Sequence, residues 1–250
     1  MKKDKIDLVK SRITYETFKD MASDKELSKY EKIGFPNDYR EKYEESIFNN
    51  INTILRLDRE EIIFFDVGCG CSELPKLIIK NAIKNRQNLY MVDSEEMLVH
   101  LPNKDNMVKI SGKFPDEINL PEYQNKVDAI VLYSVLQHIV LDMNPFYFID
   151  EAVKLLNDGG RLLIGDIPNI SKRNRFFASN TGLKFHQNFT KTNTNPKYEF
   201  NTLIEDKIDD SLVFAILSRY RNAGFETYLL EQPIDLPMRN RREDILIVKN

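Results

Sequence analysis

The stretch IIFFDVGCGCSELP, residues 62–75, runs from a continuous apolar segment through an acid and two closely spaced glycines into a proline-marked helix start. A strand that ends at Asp66, turns through Gly68 and Gly70 and enters a helix near Ser72 uses glycine there for a reason. Backbone without a Cβ turns sharply and lets a ligand approach closely. The helix that follows presents unpaired N–H groups toward that ligand.

Four further short apolar runs follow: LYMVD (89–93), MVKI (107–110), VDAIVLY (127–133) and RLLIGDI (161–167). The segments ELPKLIIKNAIKN, SEEMLVHL and NPFYFIDEAVKLLNDGG separate them with helical spacing, the last closing on a double glycine that suits a helix C-terminus. Apolar strands alternating with helices indicate a parallel sheet covered on both faces. The C-terminus adds helical spacing in DDSLVFAILSRYRNAGF and two strand-like runs, ETYLLEQP and DILIVKN, expected as an antiparallel pair completing the sheet. RNRRED, just before the last run, is expected only to close a strand connection.

Before the first strand, YREKYEESIFNNINTIL sets Tyr43, Ile47, Ile51 and Leu55 four apart on one helical face. Residues 1–58 therefore read as a helical cap and 59–167 as the core. An asparagine- and threonine-rich loop-like insertion follows over 168–210, then a closing helix and strand pair over 211–250. Together they make one domain over 1–250.

Composition excludes several classes. The chain has 36 basic and 39 acidic side chains for a net charge of -3, so the whole molecule has no electrostatic reason to seek a nucleic acid backbone. No window approaches the ~18 consecutive apolar residues of a membrane span. The basic start MKKDKIDLVKSR is followed by no apolar stretch or cleavage site of a secretory signal, so a cytoplasmic protein is expected, monomeric or homodimeric. Cys69 and Cys71, one residue apart in the glycine turn, read as small space-filling residues rather than a disulfide or a zinc site.

Glu73 stands where a dinucleotide fingerprint would place a third glycine, and a carboxylate beside a pyrophosphate is repulsive. An amino acid ammonium group would instead be attracted to Asp66. Asp93 closes the next strand 23 residues after Gly70, where a carboxylate can accept hydrogen bonds from ribose hydroxyls. Capping the helix that starts at SEEML is its structural alternative.

These residues resemble the class I S-adenosylmethionine-dependent methyltransferases over roughly 60–167 and the terminal strand pair. The resemblance implies an α/β, Rossmann-like doubly wound fold. Its sheet would be seven-stranded and mostly parallel, with an antiparallel C-terminal pair, a helical cap and an insertion after the fifth strand. It places Asp66, Gly68, Cys69 and Gly70 at the methionine portion of the cofactor and Asp93 at the ribose, with Ser94 and Met97 near the adenosine. SGKFPDE looks like the adenine turn and brings Gly112, Lys113 and Phe114 to the base, Lys113 standing where an acid is usual. VDAIVLYSVLQHI looks like the motif facing the transferred methyl, with Tyr133, Ser134 and His138 there.

The implied activity is methyl transfer from S-adenosyl-L-methionine, leaving S-adenosyl-L-homocysteine, without a metal: Asp142, Asp150, Glu151 and Asp166 form no octahedral set by spacing. His138 is the candidate general base, with His186 as the alternative from the insertion. Loops at the carboxyl ends of the strands should line the acceptor site. The cap offers Tyr30, Tyr39 and Arg40, and the insertion offers Arg173, Arg175, Phe176 and His186. An aromatic and basic lining suits a small anionic acceptor, for example a phosphorylated or nucleotide-linked metabolite of bacterial surface carbohydrate synthesis. The rival readings are a non-catalytic S-adenosylmethionine-binding regulator, a nicotinamide-dependent oxidoreductase, and a user of the same sulfonium that transfers another group.

Overall fold

A computed structural model describes residues 13–202, 204, 206–236 and 238–250. The start of the cap, residues 1–12, and the reading of it as lacking a secretory signal lie outside the described residues. The rest of the cap folds as α1 (Tyr15–Ser23), α2 (Asn37–Arg40) and α3 (Glu44–Leu55), and Ile47, Ile51 and Leu55 are buried along one face of α3.

The core alternates from there: β1 (Ile63–Val67), α4 (Leu74–Lys84), β2 (Asn88–Asp93), α5 (Glu95–Leu98), β3 (Met107–Ser111), β4 (Val127–Tyr133), α6 (Leu136–Asp142), α7 (Pro145–Leu155) and β5 (Leu156–Pro168). After β5 come α8 (Ile170–Phe177), α9 (Asn180–Thr190), α10 (Asp210–Asn222), β6 (Glu226–Leu230) and β7 (Arg242–Val248). The seven strands form one sheet in the order β3-β2-β1-β4-β5-β7-β6. The pairs from β3 to β5 are parallel, and β7 runs antiparallel to both β5 and β6. Strand order reverses at β1, which has β2 on one side and β4 on the other, and that is where an open α/β sheet leaves a crevice.

Successive strand side chains point to opposite faces, so each fully apolar strand feeds two cores. Phe64, Ala129 and Val131 pack with α3 and α4, while Phe65, Ile130 and Leu132 pack with α7 and α10. This double burial is why the runs read as continuously apolar. No helix among the described residues is long and apolar enough to cross a membrane.

Two expectations are corrected. The double glycine does not close a helix: α7 stops at Leu155, and Leu156 already pairs with Val127 in the sheet. The next pair is Ala129 with Arg161, so the intervening residues form an irregularity within β5, and Gly159 supplies its positive φ of 80°. The insertion is also not a loop throughout, since α8 and α9 occupy much of it. Asn169 accepts hydrogen bonds from the Ser171 and Lys172 backbone N–H groups, and Ser179 accepts one from Gly182. The polar residues that suggested a loop are N-caps.

Candidate functional site

The carboxyl ends of β1, β2 and β4 converge on a cavity roofed by the cap. Each chain is tied to its neighbour as it leaves the sheet: Gly68 donates to the Val92 carbonyl at 2.8 Å, Gly112 to Asp93 at 3.0 Å and Ser134 to Gly165 at 3.0 Å. Gly68 has φ 75°, and a Cβ there would lie 2.6 Å from Val135 Cγ2; Gly70 has φ 64°, and its Cβ would lie 2.8 Å from Ile33 Cγ2. The glycine turn is thus pressed between α6 and the cap.

Asp66 and Asp93 give the floor its charge. Asp66 is buried and lines the cavity, and no described residue donates a hydrogen bond to its carboxylate. Burial, then the nearby Asp93, pushes it up to about 8, with Arg40 opposing. Asp93 takes the Gly70 N–H at 2.8 Å on one oxygen and the Ser94 N–H at 2.7 Å on the other, which restrains the glycine turn. Burial raises it to about 6 against those two bonds. Cys69 and Cys71 are free thiols, both pushed up mainly by burial.

The roof comes from Tyr15, Phe18, Ile33, Phe35 and Arg40. It is pinned at both ends of α1. His138 Nδ1 donates to the Ile13 carbonyl at 3.1 Å, with its ring edge-on to Phe18 at 4.7 Å, and Asp142 accepts the Tyr15 N–H at 3.0 Å. At the other end His100 Nε2 meets the Ala22 carbonyl at 2.9 Å. Lys29 of the cap pairs with Glu73 at 3.0 Å, so Glu73 turns to lysines rather than into the cavity.

Beside the cavity, the residues just after β4 and near the end of β5 are held in the left-handed region without being glycine: Ser134 and Asp166 both have φ 60°. Ser134 Oγ donates to Asp166 Oδ2 at 2.5 Å, Arg40 Nη1 donates to Ser134 Oγ at 3.3 Å, and Arg242 pairs with Asp166 at 3.2 Å. Strain of this kind persists only where surroundings over-determine it, and it concentrates at functional sites. Arg40 itself is buried, paired with Glu44 at 3.2 Å, and lies over the Phe35 and Tyr133 rings.

Most of the residues singled out from sequence line this one cavity: Asp66, Gly68, Cys69, Gly70, Asp93 and Met97, then Gly112, Lys113, Phe114, Tyr133, Ser134, His138 and Arg40. Ser94 does not; its Oγ accepts the Met97 N–H and caps α5, the job first weighed for Asp93. Lys113 points its ammonium at Asp142, 3.5 Å away. Tyr39, stacked on Phe35 at 5.9 Å, stands just outside the lining. Arg173, Arg175 and His186 are outside it too: Arg175 pairs with Asp210, and His186 meets Thr194 at 3.3 Å. Phe176 packs against Phe177, and the Tyr30 hydroxyl is buried with no hydrogen-bond partner among the described residues, Lys29 lying over its ring at 4.9 Å.

Burial lowers His138 to about 4, which makes its imidazole a weak base. Among the described residues no group of three His, Cys, Asp or Glu side chains is placed to hold a metal. Sequence reasoning missed Tyr15, Phe18, Ile33 and Phe35 as roof residues, because only chain reversal after α1 brings them over the glycine turn. It also missed Arg242, whose one signal was a basic run beside a strand.

Residues 65–164 match the family described as methyltransferase domain. No curated protein matches the chain. Among solved structures, it is similar to the plantazolicin methyltransferase BpumL in complex with SAH at 12% identity and a TM-score of 0.57, covering 94% of this chain and 96% of that one. It is also similar to a SAM-dependent methyltransferase from Aquifex aeolicus at 16% identity and 0.51, covering 88% and 96%. A third similarity is to the methyltransferase domain of bacterial CtHen1, at 13% identity and 0.52, covering 82% and 97%.

Proposed function

We propose that the chain is a class I S-adenosylmethionine-dependent methyltransferase, as the methyltransferase-domain match over residues 65–164 supports, and that it moves the sulfonium methyl to a small-molecule acceptor at the mouth of the cavity beneath the cap. The single observation that carries the cofactor's placement is Asp66, a buried carboxylate on the cavity floor with no hydrogen-bond donor among the described residues. An ammonium group is the partner such a carboxylate lacks. The glycine turn fits the same ligand, since a Cβ on either glycine would collide with a wall of the cleft.

Within this reading the bound cofactor supplies an electrophilic methyl, and the chain's residues position what surrounds it. Asp66 holds the ammonium end. Asp93 spends one lone pair on each oxygen on backbone N–H groups, and its remaining lone pairs face the ribose hydroxyls. Met97, Phe114 and Phe148 give the base apolar walls, Phe148 meeting Phe114 edge-on at 5.2 Å. Tyr133, Ser134 and Arg40 form the ledge where an acceptor meets the methyl. His138 anchors the cap, and with a depressed basicity it is not assigned as proton acceptor. The narrower acceptor class, a phosphorylated or nucleotide-linked metabolite of bacterial surface carbohydrate synthesis, is supported only by the basic and aromatic residues near the ledge.

The test is calorimetric titration of the folded protein with S-adenosylmethionine, S-adenosylhomocysteine and NAD. Saturable binding of the two sulfur nucleosides without NAD is expected. No binding of either, or binding of NAD, sinks the proposal. Methyl transfer to any acceptor in a subsequent screen separates an enzyme from a regulator that only binds.

A further inference from the structure

Five cationic side chains gather where β5 ends, α8 begins and β7 starts, and three of them have carboxylate partners. Lys172 lies 3.7 Å from Glu243, Arg175 pairs with Asp210, and Arg242 lies 3.2 Å from Asp166. Arg173 and Arg241 have none among the described residues. Arg173 reaches only the neutral amide oxygen of Asn174 at 3.3 Å. Arg241 Nε is buried with no hydrogen-bond acceptor among the described residues.

Both guanidiniums nevertheless lie against one ring, 5.0 Å and 5.5 Å from the centre of Phe177. Two cations drawn to one apolar, partly buried spot repel each other and lose hydration. Burial is the main influence lowering Arg241, and the Arg173 and Arg242 charges add to it, with Tyr39 acting the other way. Among the described residues the arrangement lacks an anion.

The cluster is continuous with the cavity. Arg242 holds Asp166, Asp166 holds Ser134, and Ser134 lines the cavity. Tyr39, next in sequence to the cavity-lining Arg40, feels the charges of Arg242, Asp166 and Arg241. Its phenol is pushed up to about 12, chiefly by burial, which keeps it a neutral hydrogen-bond donor.

We propose that Arg173 and Arg241, beside the Arg242 that holds Asp166, form a subsite for a phosphate or carboxylate group of the acceptor, placing the acceptor's reacting end at the Ser134 ledge. Guanidinium groups bind both anions through paired hydrogen bonds. This rests on the methyltransferase reading and extends it by assigning the acceptor's charge and the residues that recognise it.

The experiment titrates inorganic phosphate, and separately acetate, into protein saturated with S-adenosylhomocysteine at constant ionic strength. It is run for the parent chain and for Arg241→Gln, Arg173→Gln and Arg175→Gln. Saturable binding of one probe is expected, roughly tenfold weaker or worse in each of the first two variants and unchanged in Arg175→Gln, whose guanidinium is already paired. Preference for phosphate assigns a phosphorylated acceptor and preference for acetate a carboxylate one. No saturable binding of either probe, binding that survives both substitutions, or an equal loss in Arg175→Gln overturns the subsite. Nucleoside affinity is measured in the same samples, so its loss in the parent chain strikes the cofactor reading, while its retention beside a failed anion titration strikes the subsite alone. Should Arg241→Gln not fold, Arg173→Gln on the surface of α8 carries the test.

Discussion

Asp66 ties the residue scale to pH. Its folded value of about 8 lies above the ordinary 3.8, so the folded chain binds the extra proton between those values. Stability from this group therefore falls as pH rises through that window. A ligand ammonium favours the ionised carboxylate, so nucleoside binding near pH 7 should release a proton and tighten as pH rises toward 8. Calorimetry in two buffers of different ionisation enthalpy reads the proton directly, and affinity that is flat from pH 6 to 8 would remove Asp66 from the ammonium. Asp66→Asn should abolish the pH dependence and weaken binding at pH 8 by about 1.5–3 kcal/mol, the range for hydrogen bonds to charged groups. Gly70→Ala acts differently. It forces a side chain into the left-handed region and onto Ile33, with an expected stability loss of about 1–2 kcal/mol read by denaturant melts. Melts matching the parent chain would mean that the cap does not sit on the glycine turn.

At the scale of elements, α1 is a strap held at one end by His138 and at the other by His100, each on a backbone carbonyl. Replacing His138 with Ala should speed hydrogen exchange in α1 and accelerate S-adenosylhomocysteine release severalfold, while the parent's pH–rate profile shows no inflection between 6 and 7. An inflection there that vanishes in His138→Ala would restore it as a base. Which elements were legible follows from where their signals lie. β1, β2, β4 and β5 announced themselves because residues on both of their faces are buried, whereas β3, at the sheet edge with Val108 exposed, showed only as a short apolar run. Asp66, Gly68, Gly70 and Asp93 were legible because they sit at strand ends with fixed spacing. α8 and α9 were hidden because the asparagine and serine that cap them are also loop formers. The double glycine misled because its positive φ serves an irregularity in β5 as readily as a helix end. The Ser134–Asp166–Arg242 chain joins residues far apart in sequence and leaves no local pattern at all.

For the whole molecule, the cavity lies between two bodies of unequal support, a sheet packed on both faces, α3 included, and the outer part of the cap around α1, held by a few hydrogen bonds, the Lys29–Glu73 pair and a small apolar contact of Phe18, Ala22 and Ile33 with Cys71 and Met97. A ligand touching Asp66 and Gly70 below and Phe18 and Arg40 above would link the two, so its binding energy should appear as stability of the entire chain. At a free nucleoside concentration a hundred times Kd, linkage gives about 2.7 kcal/mol. For a chain of this length that amounts to a rise in Tm of roughly 5–10 °C. Because Asp66 must ionise to receive the ammonium, the rise at fixed ligand concentration should be larger at pH 8 than at pH 6. Differential scanning calorimetry decides whether cap and sheet act together. One transition that moves as a unit shows that the ligand couples them, and a first transition that moves while a second stays would mean that the cap melts on its own and the cavity is completed only when ligand closes it.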